Sequence, residues 1–111
     1  MNPEELKLQI MAIFGSQVLF NAEFDNLAES IKNIDETLIS WCVSVKEGKI
    51  LPIFHKKLRD SIVFIKKIGS SNRCIIIKVK NGEFKEVHLG DHQYYNYLTK
   101  RLGIKKSSYT Y

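Results

Sequence analysis

The segment RCIIIKVKNGEFKEVHL, Arg73 to Leu89, decides the fold because it contains two strands and the turn between them. Its apolar run from Cys74 to Ile77 predicts a strand that is covered on both faces in the middle of a sheet. Asn81-Gly82 is typical of a tight hairpin turn with positive φ at both positions. Glu83 to Leu89 then returns as the neighbouring strand. The segment therefore predicts an antiparallel hairpin.

Further elements extend this hairpin on both sides. Ser61 to Ile68 predicts a preceding strand, joined to the hairpin by the turn GSSN, Gly69 to Asn72. Three strands connected in this way form a meander. A helix is expected from about Asp91 to Leu102, and Gly103 ends it.

The first half of the chain predicts helices. Apolar residues recur at helical spacing from Pro3 to Phe14, and Gly15 ends that helix. A short strand is expected from Gln17 to Phe20, followed by a helix from about Asn21 or Ala22. The apolar stripe of this second helix consists of Phe24, Leu27, Ile31 and Ile34.

A third helix is expected after Asp35, its predicted N-cap, and Gly48 ends it. Its inner face would consist of Leu38, Ile39, Cys42 and Val45. Leu38 to Val45 is also rich in β-forming residues, so a strand is the alternative there.

This order of elements predicts an α+β fold, in which N-terminal helices pack on one face of a small, mostly antiparallel sheet that is followed by a C-terminal helix. A chain of 111 residues is too short for two full domains. We expect an N-terminal helix in residues 1–15 that precedes the main domain, a single α+β domain in residues 16–104, and a basic, flexible tail in residues 105–111.

The charge of the chain is positive, because 17 Lys and Arg outnumber 12 Asp and Glu and leave a net charge of +5. The excess lies in the second half, which favours a polyanionic partner such as RNA. No run approaches the ~20 apolar residues of a membrane span, so no membrane contact and a cytoplasmic location are expected. The two cysteines lack metal-ligand spacing and are interpreted as buried thiols, and no cofactor or metal is predicted.

The candidate site combines basic, histidine and tyrosine side chains around the meander. The GSSN turn is expected to bring Arg73 close to Lys66 and Lys67, and His92 leaves the third strand at the same end. Tyr95 is a further catalytic candidate, and the candidates for RNA contact are His55, Lys56, Lys57, Arg59, Tyr94 and Tyr97. Such groups suit metal-free RNA cleavage, because Arg and Lys stabilise a phosphorane, His, Lys or Tyr transfer protons, and aromatic rings stack on bases.

Each candidate also has an ordinary structural interpretation. Arg73 could pair with a surface carboxylate such as Glu86, and His92 could be a plain helix N-terminal residue. Lys56 and Lys57 fit a solvated face, and His88 fits an ordinary sheet position.

The order of elements and several motifs resemble the RelE/ParE superfamily of toxins from toxin–antitoxin systems. VLFNAEFDNLAESIKNID, Val18 to Asp35, is similar to the opening strand and helix of that family. HKKLRDSIVFIKKIGSSNRCIIIKVKNGEFKEVHLGDH, His55 to His92, resembles its basic segment and its following strands. The resemblance implies a ribosome-dependent endoribonuclease that cleaves mRNA and is neutralised by a cognate antitoxin. The expected assembly is a homodimer or a hetero-oligomer with that antitoxin.

The resemblance also implies roles for particular residues. Arg73 matches the strand-opening Arg that stabilises the transition state, and Lys66 or Lys67 matches the strand lysine. His92 matches the C-terminal basic position, and Tyr95 or Tyr97 the aromatic position. His55, Lys57 and Arg59 match the basic segment that contacts RNA or supplies a second proton carrier.

The chain departs from the family pattern at several positions, including Asn72 in place of the usual Tyr before the Arg, and Asp91 where relatives carry a basic residue. ParE-type members share the fold and lack the nuclease residues. A ParE-like binding module without nuclease activity is therefore the alternative.

Overall fold

A computed structural model of the chain describes residues 1–53 and 56–103, and of Lys56 it describes the backbone alone. Within these residues there are four α-helices and four strands. The helices are α1 (Pro3–Phe14), α2 (Phe24–Ser30), α3 (Ile34–Lys46) and α4 (His92–Leu102). The strands are β1 (Leu19–Phe20), β2 (Ser61–Ile68), β3 (Asn72–Val79) and β4 (Phe84–Asp91), and a 3-10 turn at Lys56–Leu58 precedes β2.

The four strands form one sheet in the order β1-β4-β3-β2. Strands β2, β3 and β4 pair antiparallel as consecutive neighbours, and β1 adds a short parallel edge to β4. The run from Cys74 to Ile77 lies in β3 and is buried throughout. The predicted α+β class with a mostly antiparallel sheet is therefore confirmed.

Each face of the sheet carries its own apolar cluster. One face packs under α1, α2 and α3 and includes Phe64, Ile76 and Leu89. The other face carries Val63, Ile65, Ile75 and Ile77, and α4 covers it with Tyr95 and Leu98. Because β3 is apolar at odd and even positions alike, neither of its faces can be left to solvent. The C-terminal helix thus forms a third layer, opposite the N-terminal helices.

Helix α1 has the predicted bounds and a complete N-terminal cap. The Asn2 Oδ1 accepts a hydrogen bond from the Glu5 backbone N–H at 2.9 Å, and the Asn2 N–H donates to the Glu5 carboxylate at 3.3 Å. This reciprocal pair satisfies two backbone donors that helix geometry leaves free. The helix buries Leu6, Ile10 and Phe14 in the same cluster as α3, so it forms part of the core.

The third predicted element is a helix, and the alternative strand is wrong. Leu38, Cys42 and Val45 are buried, as the helical spacing predicts. The predicted N-cap is corrected, because α3 begins at Ile34, one residue before Asp35. The Asp35 carboxylate lies in the first turn and pairs with the amino group of Met1 at 3.0 Å.

The β3–β4 hairpin turns where predicted, with two differences. Asn81 has a positive φ of 59°, but Gly82 does not adopt a positive φ, so the predicted geometry is wrong at that position. The pairing also shifts, since Ile77 is opposite Glu86 whereas Lys78 is opposite Phe84. The residue between those partners is therefore an extra one, a β-bulge.

The short edge strand β1 is extended by a side chain. Beyond the parallel pairs of β1 with β4, the Asn21 Nδ2 donates to the Leu89 carbonyl at 2.9 Å. The Leu89 N–H donates to the Asn21 Oδ1, also at 2.9 Å. The carboxamide thus replaces a strand backbone and satisfies both polar groups of a fully buried residue.

Asn21→Ala is expected to lower the free energy of unfolding by about 1–3 kcal/mol, because it leaves a buried N–H and a buried carbonyl without partners. Urea denaturation followed by circular dichroism measures this loss. Asn26→Ala, on the exposed side of α2, is the matched control and should change stability by less than about 0.5 kcal/mol. Equal denaturation midpoints for the two variants would contradict this role for Asn21.

Candidate functional site

Two cations meet at one end of the sheet. Lys67 and Arg73 lie directly opposite each other on β2 and β3, and Arg73 is also opposite Gly90 on β4. Since side chains alternate along a strand, both cations lie on the face that α4 covers. Lys66 is opposite Cys74 and lies on the other face, toward the N-terminal helices. Of the two candidate lysines, the structure brings only Lys67 to the side of Arg73.

The guanidinium of Arg73 is mostly covered, with 9% of the residue exposed. Its Nη1 donates to the Asn72 carbonyl at 3.0 Å, and its central carbon lies 5.3 Å from the centroid of the Tyr95 ring. Its Nε is buried and has no hydrogen-bond partner among the described residues. In the described parts of the chain no carboxylate pairs with Arg73, and Glu86, the expected alternative partner, binds His88.

His92 is a neighbour of the same Tyr95 ring. It is the first residue of α4, after Asp91, whose Oδ1 accepts a hydrogen bond from the Tyr94 N–H at 2.9 Å and caps the helix. The His92 side chain is exposed, and its ring centroid lies 6.3 Å from that of Tyr95. His92 and Arg73 are therefore both neighbours of the same tyrosine ring. His92 also has the helix N-terminal position that its structural interpretation requires.

The close approach of α4 to β4 depends on Gly90. A Cβ at this position would lie 2.7 Å from the Cβ of Tyr94, a distance that real side chains do not tolerate. The glycine therefore lets the first turn of α4 lie directly on the strand beside Arg73. In that helix Tyr95 is buried, Tyr94 is half-buried, and Tyr97 is exposed beneath the guanidinium of Arg101 at 5.9 Å.

The basic segment before β2 lies at the opposite end of the sheet. Arg59 and Lys57 precede the first residue of β2, whereas Lys67 is its next-to-last residue, about 20 Å away at 3.3 Å per residue. The Cδ of Lys57 lies 2.8 Å from the position that a Cβ on Gly103 would occupy, which places it at the C-terminal end of α4. The structure therefore does not bring these two residues to Arg73. His55 and the Lys56 side chain lie outside the described residues.

A hydrogen-bonded group of three side chains, Glu86, His88 and Tyr94, occupies the same sheet face. The Nε2 of His88 lies 2.7 Å from the Glu86 Oε1, and its Nδ1 lies 2.7 Å from the Tyr94 hydroxyl. Because a carboxylate can only accept, Nε2 donates to Glu86, and Nδ1 then accepts from the hydroxyl of Tyr94 in the neutral ring. This group ties α4 to β4 next to the Arg73 end.

The surroundings of this group shift two pKa values. Burial lowers the pKa of His88 below its ordinary 6.5, and the nearby Arg101 adds to the decrease, while the hydrogen bond and the charge of Glu86 oppose it. Burial also raises the pKa of Tyr94 above 10.0, although Arg101 acts in the other direction. Both directions favour the neutral donor and acceptor pair between these rings.

The sequence pattern predicts an ordinary sheet position for His88 and does not predict its two hydrogen-bond partners. A signal was present, because Glu86 and His88 alternate along β4 opposite Ile77 and Ile75, which are apolar. Polar side chains on a face that is otherwise buried need hydrogen-bond partners. The missing partner, Tyr94, depends on the packing angle of α4, which the sequence pattern does not specify.

The described residues do not favour cysteine or metal-ion chemistry. Both cysteines are free and buried, as predicted, and burial raises the pKa of the Cys42 thiol to about 12 and that of Cys74 well above 9.0. Residues 1–53 and 56–103 contain no group of three or more His, Cys, Asp or Glu that could hold a metal ion. Over the same residues no helix has the length and apolar character needed to cross a membrane.

Comparison with known proteins does not add an assignment. No protein-family model, no curated protein and no solved structure matches this chain. The geometry of the side chains is therefore the basis for the functional argument.

The lowered pKa of His88 predicts that the protein loses stability as the pH falls through 6.5. Below this pH the unfolded chain binds a proton at His88 that the folded chain does not, so protonation favours unfolding. Urea denaturation at pH 7.5 and pH 5.5 measures the change. His88→Gln should reduce this pH dependence, whereas the same substitution at the exposed His92 should preserve it. An unchanged pH dependence in His88→Gln would disprove the assignment.

Tyr94→Phe is expected to lower the free energy of unfolding by about 1–2 kcal/mol, because the buried Nδ1 of His88 loses its hydrogen-bond donor while the ring remains. Tyr97→Phe removes a hydroxyl from an exposed ring and serves as the control. Thermal denaturation at pH 7.5 should show a lower Tm for Tyr94→Phe alone. Similar Tm values for both variants would mean that this hydrogen bond does not stabilise the packing of α4.

Proposed function

We propose that this chain is a RelE-like toxin, an endoribonuclease that cleaves mRNA on the ribosome without a metal ion. The observation that supports this proposal best is the cross-strand pair of Lys67 and Arg73, because Arg73 and the exposed His92 are both neighbours of the Tyr95 ring. In the described parts of the chain Arg73 has no carboxylate partner. A planar cation of this kind is suited to binding a phosphate. The order of helices and strands agrees with the resemblance noted from the sequence.

The proposed reaction is an attack of the RNA 2′-oxygen on the adjacent phosphorus. A bond forms between the 2′-oxygen and phosphorus, the bond from phosphorus to the 5′-oxygen breaks, and a 2′,3′-cyclic phosphate and a 5′-hydroxyl result. Lys67 accepts the 2′-hydroxyl proton, and His92 donates a proton to the departing 5′-oxygen. Arg73 stabilises the charge on the phosphorane.

Burial distinguishes the two candidate proton donors. Tyr95 is only 2% exposed and lies under Arg73, whereas His92 is exposed at the start of α4. A group that must contact the leaving oxygen needs access to the substrate, which favours His92. Tyr95 then acts as a positioning residue, because its ring supports the guanidinium.

The outer side of α4 provides a surface on which the RNA can extend. Tyr97 is 58% exposed, the Arg101 guanidinium lies over its ring, and Lys100 is exposed beside them. An exposed ring next to cations suits stacking of an unpaired base together with contacts to phosphates. Lys57 lies at the far end of this helix, so the proposed RNA path follows α4 from His92 toward Gly103.

As a toxin of this type, the protein would act in the cytoplasm and be held inactive by a cognate antitoxin. An acidic segment of the antitoxin would cover Lys67 and Arg73, since complementary charge suits a surface that must be blocked.

Induced expression in a translating extract tests the cleavage, with mRNA ends mapped by primer extension. The wild type should produce discrete cuts, and Arg73→Lys should reduce their rate by about 10²–10³-fold, because an ammonium does not reproduce the planar donors. Lys67→Ala and His92→Ala should each reduce the rate by about 10²–10⁴-fold. Lys80→Ala removes the same charge from the hairpin at the opposite end of the sheet and should leave the rate unchanged.

A binding role without cleavage is the second candidate, and the burial of Arg73 favours it. Arg73, a residue that is 9% exposed and whose guanidinium lies over the Tyr95 ring, can stabilise the attachment of α4 without contacting a substrate. Intact mRNA with the folded wild-type protein would exclude the nuclease and favour this ParE-like alternative. Discrete cuts that persist in Arg73→Lys and His92→Ala would instead refute the proposed site.

The salt dependence of RNA binding provides a separate measurement for both candidates. A plot of log affinity against log salt for a short single-stranded RNA should have a slope of about −0.7 for each phosphate contacted. Lys67→Ala and Arg101→Ala should each make the slope less negative by about one contact, and Lys80→Ala should not change it. A slope near zero for the wild type would mean that the α4 surface does not bind RNA.

A further inference from the structure

A cleft of about 640 Å³ lies between the N-terminal helices and the sheet, away from the α4 face. Its apolar wall includes Phe14, Val45, Phe64 and Phe84, all of which are buried residues of the core. The cleft lies where β3 pairs with the start of β4, so it is at the opposite end of these strands from Arg73. Its size is within the usual range of small-molecule sites, which are mostly apolar with a few polar groups.

Two lysines provide the polar groups at this cleft. The Nζ of Lys46, at the end of α3, lies 5.8 Å from the centroid of the Phe84 ring, and the Nζ of Lys78, on β3, lies 5.6 Å from the same centroid. Two ammonium groups around one ring repel each other, and an anion between them would remove that repulsion.

The described residues do not supply this anion. Neither lysine has an ion pair there, and the hydrogen bond of Lys78 goes to the Val79 carbonyl at 3.2 Å. Glu83 also lines the cleft, but its carboxylate is not within ion-pair distance of either lysine. Two lysines that lack a carboxylate partner at an apolar cleft indicate a ligand that is both apolar and anionic.

We propose that this cleft binds a small amphipathic carboxylate, whose apolar body lies against the aromatic wall and whose carboxylate lies between Lys46 and Lys78. The rings of Phe14 and Phe84 stack on each other with centroids 4.1 Å apart, and both residues line the apolar side of the cleft against which the body of the ligand would lie. Leu51, which is 75% exposed at the rim, offers further apolar area. The site is independent of the proposed nuclease, because it uses other residues on the other face of the sheet.

Decanoate is a suitable probe, and decanol and decyltrimethylammonium are matched controls with the same chain and a neutral or positive head. Amide chemical shifts of the labelled protein, measured by NMR below the micellar concentration of each probe, report both affinity and position. Decanoate should bind saturably with one molecule per chain and shift the amides of Val45, Gly82 and Glu83. Decanol should bind at least tenfold more weakly, and the cation should not saturate the site.

Substitutions identify the contribution of the charges. Lys78→Met and Lys46→Met keep the apolar stems and remove the ammonium groups, so each should weaken decanoate binding about tenfold or more and leave decanol binding unchanged. Lys80→Met makes the same change at an exposed position outside the cleft and should have no effect. Leu51→Asp, at a position exposed enough to tolerate the change, should also weaken decanoate binding by charge repulsion.

Three outcomes would overturn the proposal. Equal affinities for decanoate and decanol would show that the lysines do not select an anion. Shifts at Lys67, Arg73 and His92 in place of the cleft would show that decanoate binds elsewhere. Absence of saturable binding by folded wild-type protein, verified by circular dichroism, would show that the cleft does not take a free carboxylate and would leave an apolar, acidic protein segment as the alternative occupant.

Discussion

The β-bulge at Lys85 is the constraint on which the rest of the structure depends. In an unbroken strand Phe84 would share a face with Glu86 and His88, because side chains alternate with a period of two. The extra residue moves Phe84 to the side of the N-terminal helices, where it stacks on Phe14. One insertion in β4 therefore separates an apolar position from two polar ones, and both faces of the sheet obtain the side chains that they need.

The cleft and the Arg73 end of the sheet each depend on one consequence of this bulge. On the helix side, Phe84 forms the ring that Lys46 and Lys78 share. On the α4 side, Glu86 and His88 keep the strand alternation of the end of β4. Glu86 binds His88, and His88 binds Tyr94, which fixes the start of α4. The position of α4 in turn places the Tyr95 ring over Arg73, so the cation end of the sheet depends indirectly on the same bulge.

The sequence predicted those elements whose signals are local. The bounds of α1 follow from its proline, its cap and its glycine, and the hairpin follows from Asn81-Gly82. The bulge has no such signal, because Glu83 to Leu89 reads as an ordinary strand until the partner register is known. The choice between Lys66 and Lys67 was open for the same reason, since a shift of one residue exchanges the two faces. The contact of His88 with Tyr94 depends on the packing of a helix against a sheet, which is a tertiary property.

Cations that have no carboxylate partner in the described residues lie at both ends of the sheet. In the N-terminal half, Lys7 pairs with Glu4 and Asp25, and the amino group of Met1 pairs with Asp35. In the described residues, Lys67 and Arg73 at one end and Lys46 and Lys78 at the other have no carboxylate partner, although the chain contains 12 Asp and Glu. Their surroundings suit different anions.

Lys67 is exposed on the α4 side of the sheet, as are His92 and Arg101 of α4, and a polar surface of this kind suits a charged polymer whose phosphates continue past the sheet. Lys46 and Lys78 adjoin a concave aromatic wall, where a polyanion would leave the apolar area uncovered. A ligand at that end gains from burying apolar surface as well as from charge, so a short carboxylate with an apolar body satisfies both requirements. Under the two proposals, the cations at the two ends of the sheet would therefore bind anions of different chemistry.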